Sequence, residues 1–292
     1  MNILITGSNG QLGKDCERVL NPMHTLTCVD IEDIDITDKD SLDAAIADIG
    51  PDVIINCAAF TNVDACETQK EAAWAVNVTG PENLAQCAKN NNSRIIHISS
   101  DYVFDGKKKP PETYVEKDPT GPLSYYGKTK LESENAVKQN CSDFIILRTA
   151  WLYGFNGHNF LKAILKKALT NPEQPLKIVN DQYGSPTWSY RLALQISHLI
   201  DHNGQGLYHA SGEGFCTWYE LANYFLEKIG VSCDITSCTT EEYPLPATRP
   251  GCSILENKRL KTKGLNLMEP WQTDLDHYID QYGAQLIQNC HD

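Results

Sequence analysis

The sequence predicts an α/β fold: a doubly wound parallel sheet, joined to a smaller α+β lobe toward the C-terminal end. Three observations carry that expectation. Short, continuous, β-branched apolar runs alternate with helical patterns through the first half, as when helices cover both faces of a sheet. The first of those runs passes directly into a glycine-rich turn that opens a helix. After about Tyr153 the alternation loosens into segments separated by loops rich in Gly, Pro and Trp.

The elements follow in order. Residues 2–6, around Ile3-Leu4-Ile5, read as a buried strand, residues 11–20 as a helix, and residues 25–30 as a second strand. Residues 41–49 read as a helix, 52–56 as a strand, 72–90 as one long helix and 94–99 as a strand. A polar loop precedes a helix over 125–139 and a strand over 144–148. Such alternation implies right-handed crossovers, which is the Rossmann arrangement. Farther on, helices are expected over 160–169, 190–201 and 218–229, with short strands over 176–179 and 207–210. Residues 1–153 are therefore expected to form a dinucleotide-binding domain. Residues 154–292 are expected to be mainly a substrate-binding lobe, with some segments returning to the first domain.

Composition narrows the function. The chain has 292 residues, 41% of them apolar, so it can bury a core without disulfides. No apolar run is long enough to span a membrane, and the start lacks the basic residues and long apolar stretch of a secretory signal. The formal charge is −13, and basic residues are scattered apart from Lys107-Lys108-Lys109, which argues against nucleic acid. That triplet, beside Pro110-Pro111, reads as a solvated loop tip. Eleven cysteines, an odd number with no Cys-x-x-Cys spacing, are expected to be free and mostly buried in a reducing, cytoplasmic compartment. The eight histidines include no pair with metal-ligand spacing, so no metal site is expected.

The glycine turn is the cofactor signature. Gly7, Gly10 and Gly13 stand where a dinucleotide needs a tight turn, a close approach of its diphosphate, and close helix–strand packing. Asn9, Gln11 and Leu12 share that turn, and the helix start offers free N–H groups and a positive dipole end. Asp30, at the end of the second strand, is placed to accept hydrogen bonds from the adenosine ribose. It would repel a 2′-phosphate, which favours NADH over NADPH; Lys14 is the one nearby cation that could offset it. Ala58 and Ala59, just past the third strand, give a flat rim along which a dinucleotide could lie.

The chemistry is expected at Tyr126 and Lys130, four residues apart on one helix face. Carbonyl reduction needs hydride at carbon and a proton at oxygen, and a tyrosine can donate that proton. A nearby ammonium should lower the phenol's pKa, and Lys130 could also bond the nicotinamide ribose. The fourth strand ends in Ser99-Ser100. One of these hydroxyls should face the cleft and polarise the substrate carbonyl, because side chains alternate along a strand.

With these residues in order, the chain resembles the extended short-chain dehydrogenase/reductases, and among them the dTDP-4-dehydrorhamnose reductase family. The resemblance rests on GSNGQLG, DITD, NCAAFTNVDACE, VNVTGPENLA, SSDYVFDG, YGKTK, RTAWLYG, DQYGSPT and TRPGCSILENKRL. It implies that Ser100, Tyr126 and Lys130 are catalytic, Ser100 standing where the family usually has Thr. It implies further cofactor contacts at Asp35, Ile36 and Thr61. Substrate contacts are implied at Thr61, Val63, Ser100, Tyr102, Trp151 and Arg249. Trp151 could cover an apolar sugar face, or serve as core packing. Arg249 could pair with a diphosphate, or form a surface ion pair.

The activity implied is reduction of the C4 keto group of dTDP-4-dehydro-L-rhamnose to dTDP-L-rhamnose, with NADH or NADPH, for cell-surface polysaccharide synthesis. The resemblance is compatible with a homodimer. Some members carry Mg²⁺ at a subunit contact, but no ligand set can be matched here. Two other readings stay open: an epimerase or a reductase of another nucleotide sugar, and a non-catalytic regulatory subunit of the same fold, such as that of methionine adenosyltransferase.

Overall fold

A computed structural model describes residues 1–291. Five strands and their helices alternate through the first half: β1 (Asn2–Thr6), α1 (Gln11–Leu20), β2 (Thr25–Val29), α2 (Lys39–Ile49), β3 (Val53–Asn56), α3 (Val63–Thr68), α4 (Lys70–Trp74), α5 (Gly80–Asn90), β4 (Arg94–Ser100), α6 (Tyr125–Asn140) and β5 (Phe144–Thr149). The second half adds β6 (Leu152–Tyr153), α7 (Phe160–Thr170), β7 (Leu176–Val179), β8 (Tyr183–Gly184), β9 (Thr187–Trp188), α8 (Ser189–Asp201), β10 (Gly206–His209), β11 (Cys216–Thr217), α9 (Trp218–Ile229), β12 (Ile235–Cys238), α10 (Lys258–Thr262) and α11 (Trp271–His291).

The main sheet has six strands in the order β10-β5-β4-β3-β1-β2, all parallel. Alternation along each strand sorts its side chains to two faces. Ile3, Ile5, Ile55, Ile96 and Leu147 pack with Leu12, Cys16, Leu192 and Ile196 of α1 and α8. Leu4, Ile54, Ile95 and Ile146 pack on the other face with Ile46, Leu84 and Val137 of α2, α5 and α6. Both faces are thus apolar, which is why these strands read as unbroken runs.

A separate core gathers Tyr153, Leu165, Ile178, Trp188, Phe225, Leu275 and Tyr278 between α7, α9, α11 and the parallel pair β7–β12. The chain does not stay in this second lobe. Having built α7 and β7, it returns through α8, which packs on the main sheet, and through β10, which pairs with β5 from Gly206↔Ile145 to His209↔Arg148.

The expected long helix over 72–90 is three pieces. α4 gives way to a π-turn over Ala75–Thr79 before α5 begins. Pro81 explains the break, since a proline ring clashes with the carbonyl four residues back, here Asn77, and the wider turn relieves it. The Asn77 side chain then holds the loop after β3, accepting from Phe60 N–H (2.7 Å) and donating to Phe60 O (3.1 Å) and Thr129 Oγ1 (3.0 Å). All eleven cysteines are free, and most are buried. Among the described residues, no helix is long and apolar enough to cross a membrane.

Candidate active site

A cleft of about 1090 Å³ runs along the carboxyl ends of β1–β5 and into the second lobe. Its volume lies just past the upper end of single-ligand pockets, roughly 300–1,000 Å³. Its floor at the sheet is the glycine turn. Gly7 adopts φ +64°, and a Cβ there would come within 2.6 Å of Ala58 N, so the turn is seated directly against the loop after β3. A Cβ on Gly13 would overlap Gly7 O, so helix and strand can meet this closely only without it. Gly10 caps α1 without a side-chain hydrogen bond, which leaves N–H groups of the first turn without a side-chain partner, and Gln11 and Leu12 of that turn line the cleft.

Asp30 is bound to that turn rather than loose on the surface. Its Oδ2 accepts from Asn9 N–H (2.9 Å) and its Oδ1 from Ile31 N–H (2.9 Å). Lys14 pairs with Glu17 (3.1 Å), so the cation that could have offset Asp30 is engaged elsewhere. Gly7, Gly10, Gln11, Leu12, Gly13, Asp30, Asp35, Ile36, Ala58, Ala59 and Thr61 all line the cleft. Asn9 does not; it is exposed, and what it supplies is the backbone bond to Asp30.

Ser100, Tyr126 and Lys130 meet on one wall. The two serines part as strand alternation requires. Ser99 donates to Glu134 Oε1 (2.7 Å), whereas Ser100 donates to Asp101 Oδ1 (2.9 Å) and accepts from Tyr102 N–H (3.2 Å). Ser124 caps α6 by accepting from Gly127 N–H (3.1 Å), which fixes the turn that carries Tyr126. Lys130 is 3% exposed and donates to Ile98 O (2.7 Å); burial lowers its pKa to about 8.

One expectation does not hold. The Tyr126 phenol is pushed up, not down: its depth in the protein is the main cause, the charge on Asp101 adds to it, and only Ser100 opposes. Lys130 directs its ammonium at the β4 backbone instead of acting on the phenol. A phenol of ordinary pKa is already protonated at neutral pH, so the rise makes Tyr126 a weaker acid in the unliganded cleft.

The end of the cleft that reaches the second lobe is aromatic. Trp151, at φ +46°, stacks on Trp218 with ring centroids 3.5 Å apart and planes 6° from parallel. Trp151 is thus both part of the packing and a face of the cleft. A Cβ on Gly184 would overlap the Trp151 indole, which accounts for the glycine in DQYGSPT. Trp218 Nε1–H donates to Gln182 Oε1 (3.2 Å), and both residues line the cleft. Neither was singled out from sequence; a tryptophan opening a helix carries no spacing signal.

Thr61, Val63 and Tyr102 also line the cleft. Arg249 reaches the cleft, but its fork is filled: Nη1 donates to Asp64 Oδ1 (3.0 Å) and Nη2 to Asp64 Oδ2 (2.8 Å). The expected ion pair is present, and it ties the late loop to α3 beside the cleft that Arg249 lines.

A family model described as "RmlD substrate binding domain" matches residues 1–284. The dTDP-4-dehydrorhamnose reductase of Salmonella typhimurium is 35% identical, the alignment covering 96% of this chain and 98% of that protein. The crystal structure of a dTDP-4-dehydrorhamnose reductase from Clostridium acetobutylicum superposes with a TM-score of 0.93 at 41% identity, covering 96% of this chain and 99% of the other. One from Bacillus anthracis, in complex with NADP, gives 0.92 at 33% identity, with coverage of 96% and 99%.

Proposed function

This chain belongs to the RmlD substrate binding domain family, and on that premise we propose that it reduces the C4 carbonyl of dTDP-4-dehydro-L-rhamnose to give dTDP-L-rhamnose. It is a nicotinamide-dependent oxidoreductase. The observation that carries the reading is the convergence of Ser100, Tyr126 and Lys130 on one wall of a cleft whose floor is the glycine turn.

The residues at the turn fit a dinucleotide. Free N–H groups at the start of α1 suit a diphosphate, the Ala58-Ala59 rim leaves room along the sheet, and Asp30 stands by the glycines to receive a ribose. A reduced nicotinamide supplies the hydride when bound. Ser100 directs its hydroxyl at the carbonyl oxygen, where negative charge grows as the bond is reduced. Tyr126 gives that oxygen its proton. Lys130, with donors beyond its bond to Ile98 O, holds the ribose of the nicotinamide half. The stacked pair Trp151–Trp218 presents an indole face to the sugar.

The finer cofactor preference is for NADH. It rests on the Asp30 carboxylate, which would face a 2′-phosphate, and on the engagement of Lys14 by Glu17. The free thiols and a water-soluble nucleotide-sugar substrate support a cytoplasmic setting.

The deciding experiment is product identification. Purified protein is incubated with dTDP-4-keto-6-deoxy sugars and each reduced dinucleotide, and the products are separated and identified. Stoichiometric loss of the dihydronicotinamide absorbance with formation of dTDP-L-rhamnose is expected. Turnover with no net cofactor oxidation would mean an epimerase, and no turnover with a stoichiometric protein partner would mean a regulatory subunit.

A further inference from the structure

Ser100 has one proton, and two acceptors claim it. Its hydroxyl donates to Asp101 Oδ1 (2.9 Å) while its oxygen accepts from Tyr102 N–H (3.2 Å). A serine that polarises a carbonyl must aim that same proton at the substrate. Both bonds cannot exist together.

The surroundings of Asp101 resolve the conflict. The residue is 2% exposed, and its Oδ2 has no hydrogen-bond partner, although the Ser253 hydroxyl lies beside the carboxyl. The groups facing it are Tyr102 from its own turn and Tyr126 from α6, and its charge pushes both phenols up. No cation is among the groups that act on it, and the Arg249–Asp64 pair bears on Tyr102 instead. An unpaired carboxylate in such a place is costly, and protonation removes the cost. Burial accordingly raises the Asp101 pKa from 3.8 to about 6. A substrate and dinucleotide filling the cleft would exclude water and raise it further.

We propose that Asp101 is a positioning residue that works as the neutral acid, its Oδ1–H donating to Ser100 Oγ so that Ser100 turns its only proton toward the substrate carbonyl oxygen. The valences then close. Both lone pairs of Ser100 Oγ are filled, one by Asp101 and one by Tyr102 N–H, and the one remaining capacity is a donor. Oδ2 becomes a carbonyl-type oxygen able to accept from Ser253. Asp101 keeps its proton through turnover, so the proton that reaches the product still comes from Tyr126. In the ionised form the carboxylate instead captures the Ser100 proton and sets a negative charge close to the oxygen where negative charge must grow. The inference rests on the proposed role of Ser100 in carbonyl reduction.

The test is the pH profile of kcat at saturating cofactor and nucleotide sugar for the unaltered enzyme, Asp101→Asn and Ser100→Ala. Asn presents an N–H donor of nearly the same shape that does not titrate. The unaltered enzyme is expected to lose kcat as pH rises through the Asp101 ionisation, at or above pH 6. Asp101→Asn is expected to lack that descending limb and to keep kcat within about tenfold of the low-pH value, with KM little changed. Lys130, with its pKa of about 8, adds its own limb in every variant, so a limb below that one which persists in Asp101→Asn overturns the inference. So does a drop of about a hundredfold or more at every pH with cofactor still bound, which would mean that the ionised carboxylate is needed.

Ser100→Ala separates the two layers of argument. Wild-type turnover in that variant removes the role of Ser100 itself, whereas loss there with a limb retained in Asp101→Asn removes only the role of Asp101. If Asp101→Asn does not fold, difference infrared spectra of the unaltered enzyme with isotope-labelled aspartate serve instead. A protonated carboxyl band that shifts when product binds supports the inference, and its absence overturns it.

Discussion

Arg148 holds Glu134 with two parallel hydrogen bonds, Nε to Oε1 at 2.7 Å and Nη2 to Oε2 at 2.8 Å, in the seam between β5 and α6. The two side chains are 4% and 0% exposed, and Ser99 adds a third bond to the carboxylate. Burial pushes the Glu134 carboxyl up, but Arg148, Lys138 and Ser99 together outweigh it and hold it below the usual 4.5. The pair fixes the helix that presents Tyr126 and Lys130.

Removing one partner should therefore be severe. Glu134→Ala leaves the Arg148 charge buried without its carboxylate, which is expected to lower stability by about 3–5 kcal/mol. Because the folded-state pKa is depressed, the stabilisation is present above pH 4.5 and fades as pH falls through the folded value. Chemical denaturation of both proteins should show a gap that is full at pH 7 and narrows under acid.

Lys130 has the same pH slope for a different reason, because here burial disfavours the charged form. Its pKa is about 8 in the folded protein against 10.5 ordinarily, so the unfolded chain binds more protons between those values. Stability should rise with pH across that window, by about 3 kcal/mol at most, from 1.36 kcal/mol per unit. Replacing Lys130 with Met should abolish that rise. Denaturant midpoints of the two proteins between pH 7.5 and pH 10, chosen as roughly the limits of the window, provide the measurement.

The phenol is expected to be essential to turnover and dispensable for cofactor binding. Tyr126→Phe should lose at least about two orders of magnitude in kcat while the dinucleotide Kd stays within a few fold. Stopped-flow hydride transfer and cofactor fluorescence titration read the two quantities separately. Near-normal turnover would falsify the assignment of the proton donor.

Gly184 tests the aromatic wall from behind. In Gly184→Ala the new methyl displaces the Trp151 indole from Trp218. The KM for the nucleotide sugar should rise about tenfold, equivalent to roughly 1.4 kcal/mol, with dinucleotide KM unaffected. A variant whose tryptophan fluorescence changes while its sugar KM matches the parent would show that the stack does not hold the sugar.

Asp30→Ser should move the cofactor preference. Removing the carboxylate takes away repulsion of a 2′-phosphate and the bond from Asn9 N–H. The ratio of kcat/KM for NADPH over NADH is expected to rise about tenfold or more, the sort of change one close charge produces. An unchanged ratio would place cofactor selection elsewhere.

The parallel sheet was legible because its strands are apolar on both faces and short. α1 and α9 fall on their expected bounds, Gln11–Leu20 and Trp218–Ile229. The meeting of Ser100, Tyr126 and Lys130 at the cleft was legible too, since spacing along one helix and one strand end brings them together. What escaped is set by tertiary partners. α3 is six residues long and capped by Asn62, too short for periodicity to show. The π-turn depends on Pro81 meeting the carbonyl of Asn77. The longest helix, α11, does carry Trp271, Leu275, Tyr278, Tyr282 and Leu286 at helical spacing, but Gly283 and a scatter of Asp, Gln and Asn dilute the signal. Asp101 carries no signal of its own, because nothing in the local sequence shows that Ser253 and Tyr126 will enclose it. Arg249 had its partner 185 residues away.

The late return of the chain to complete the main sheet shapes how this molecule can be made. During synthesis β5 emerges with its outer edge bare, and the ribosome must deliver the entire second lobe before β10 arrives to cover it. A fragment ending at residue 153 would keep that sticky border, with Ile145 and Leu147 beside it, and would tend to add foreign strands. The two lobes are therefore one cooperative unit in assembly, and neither half is a portable module.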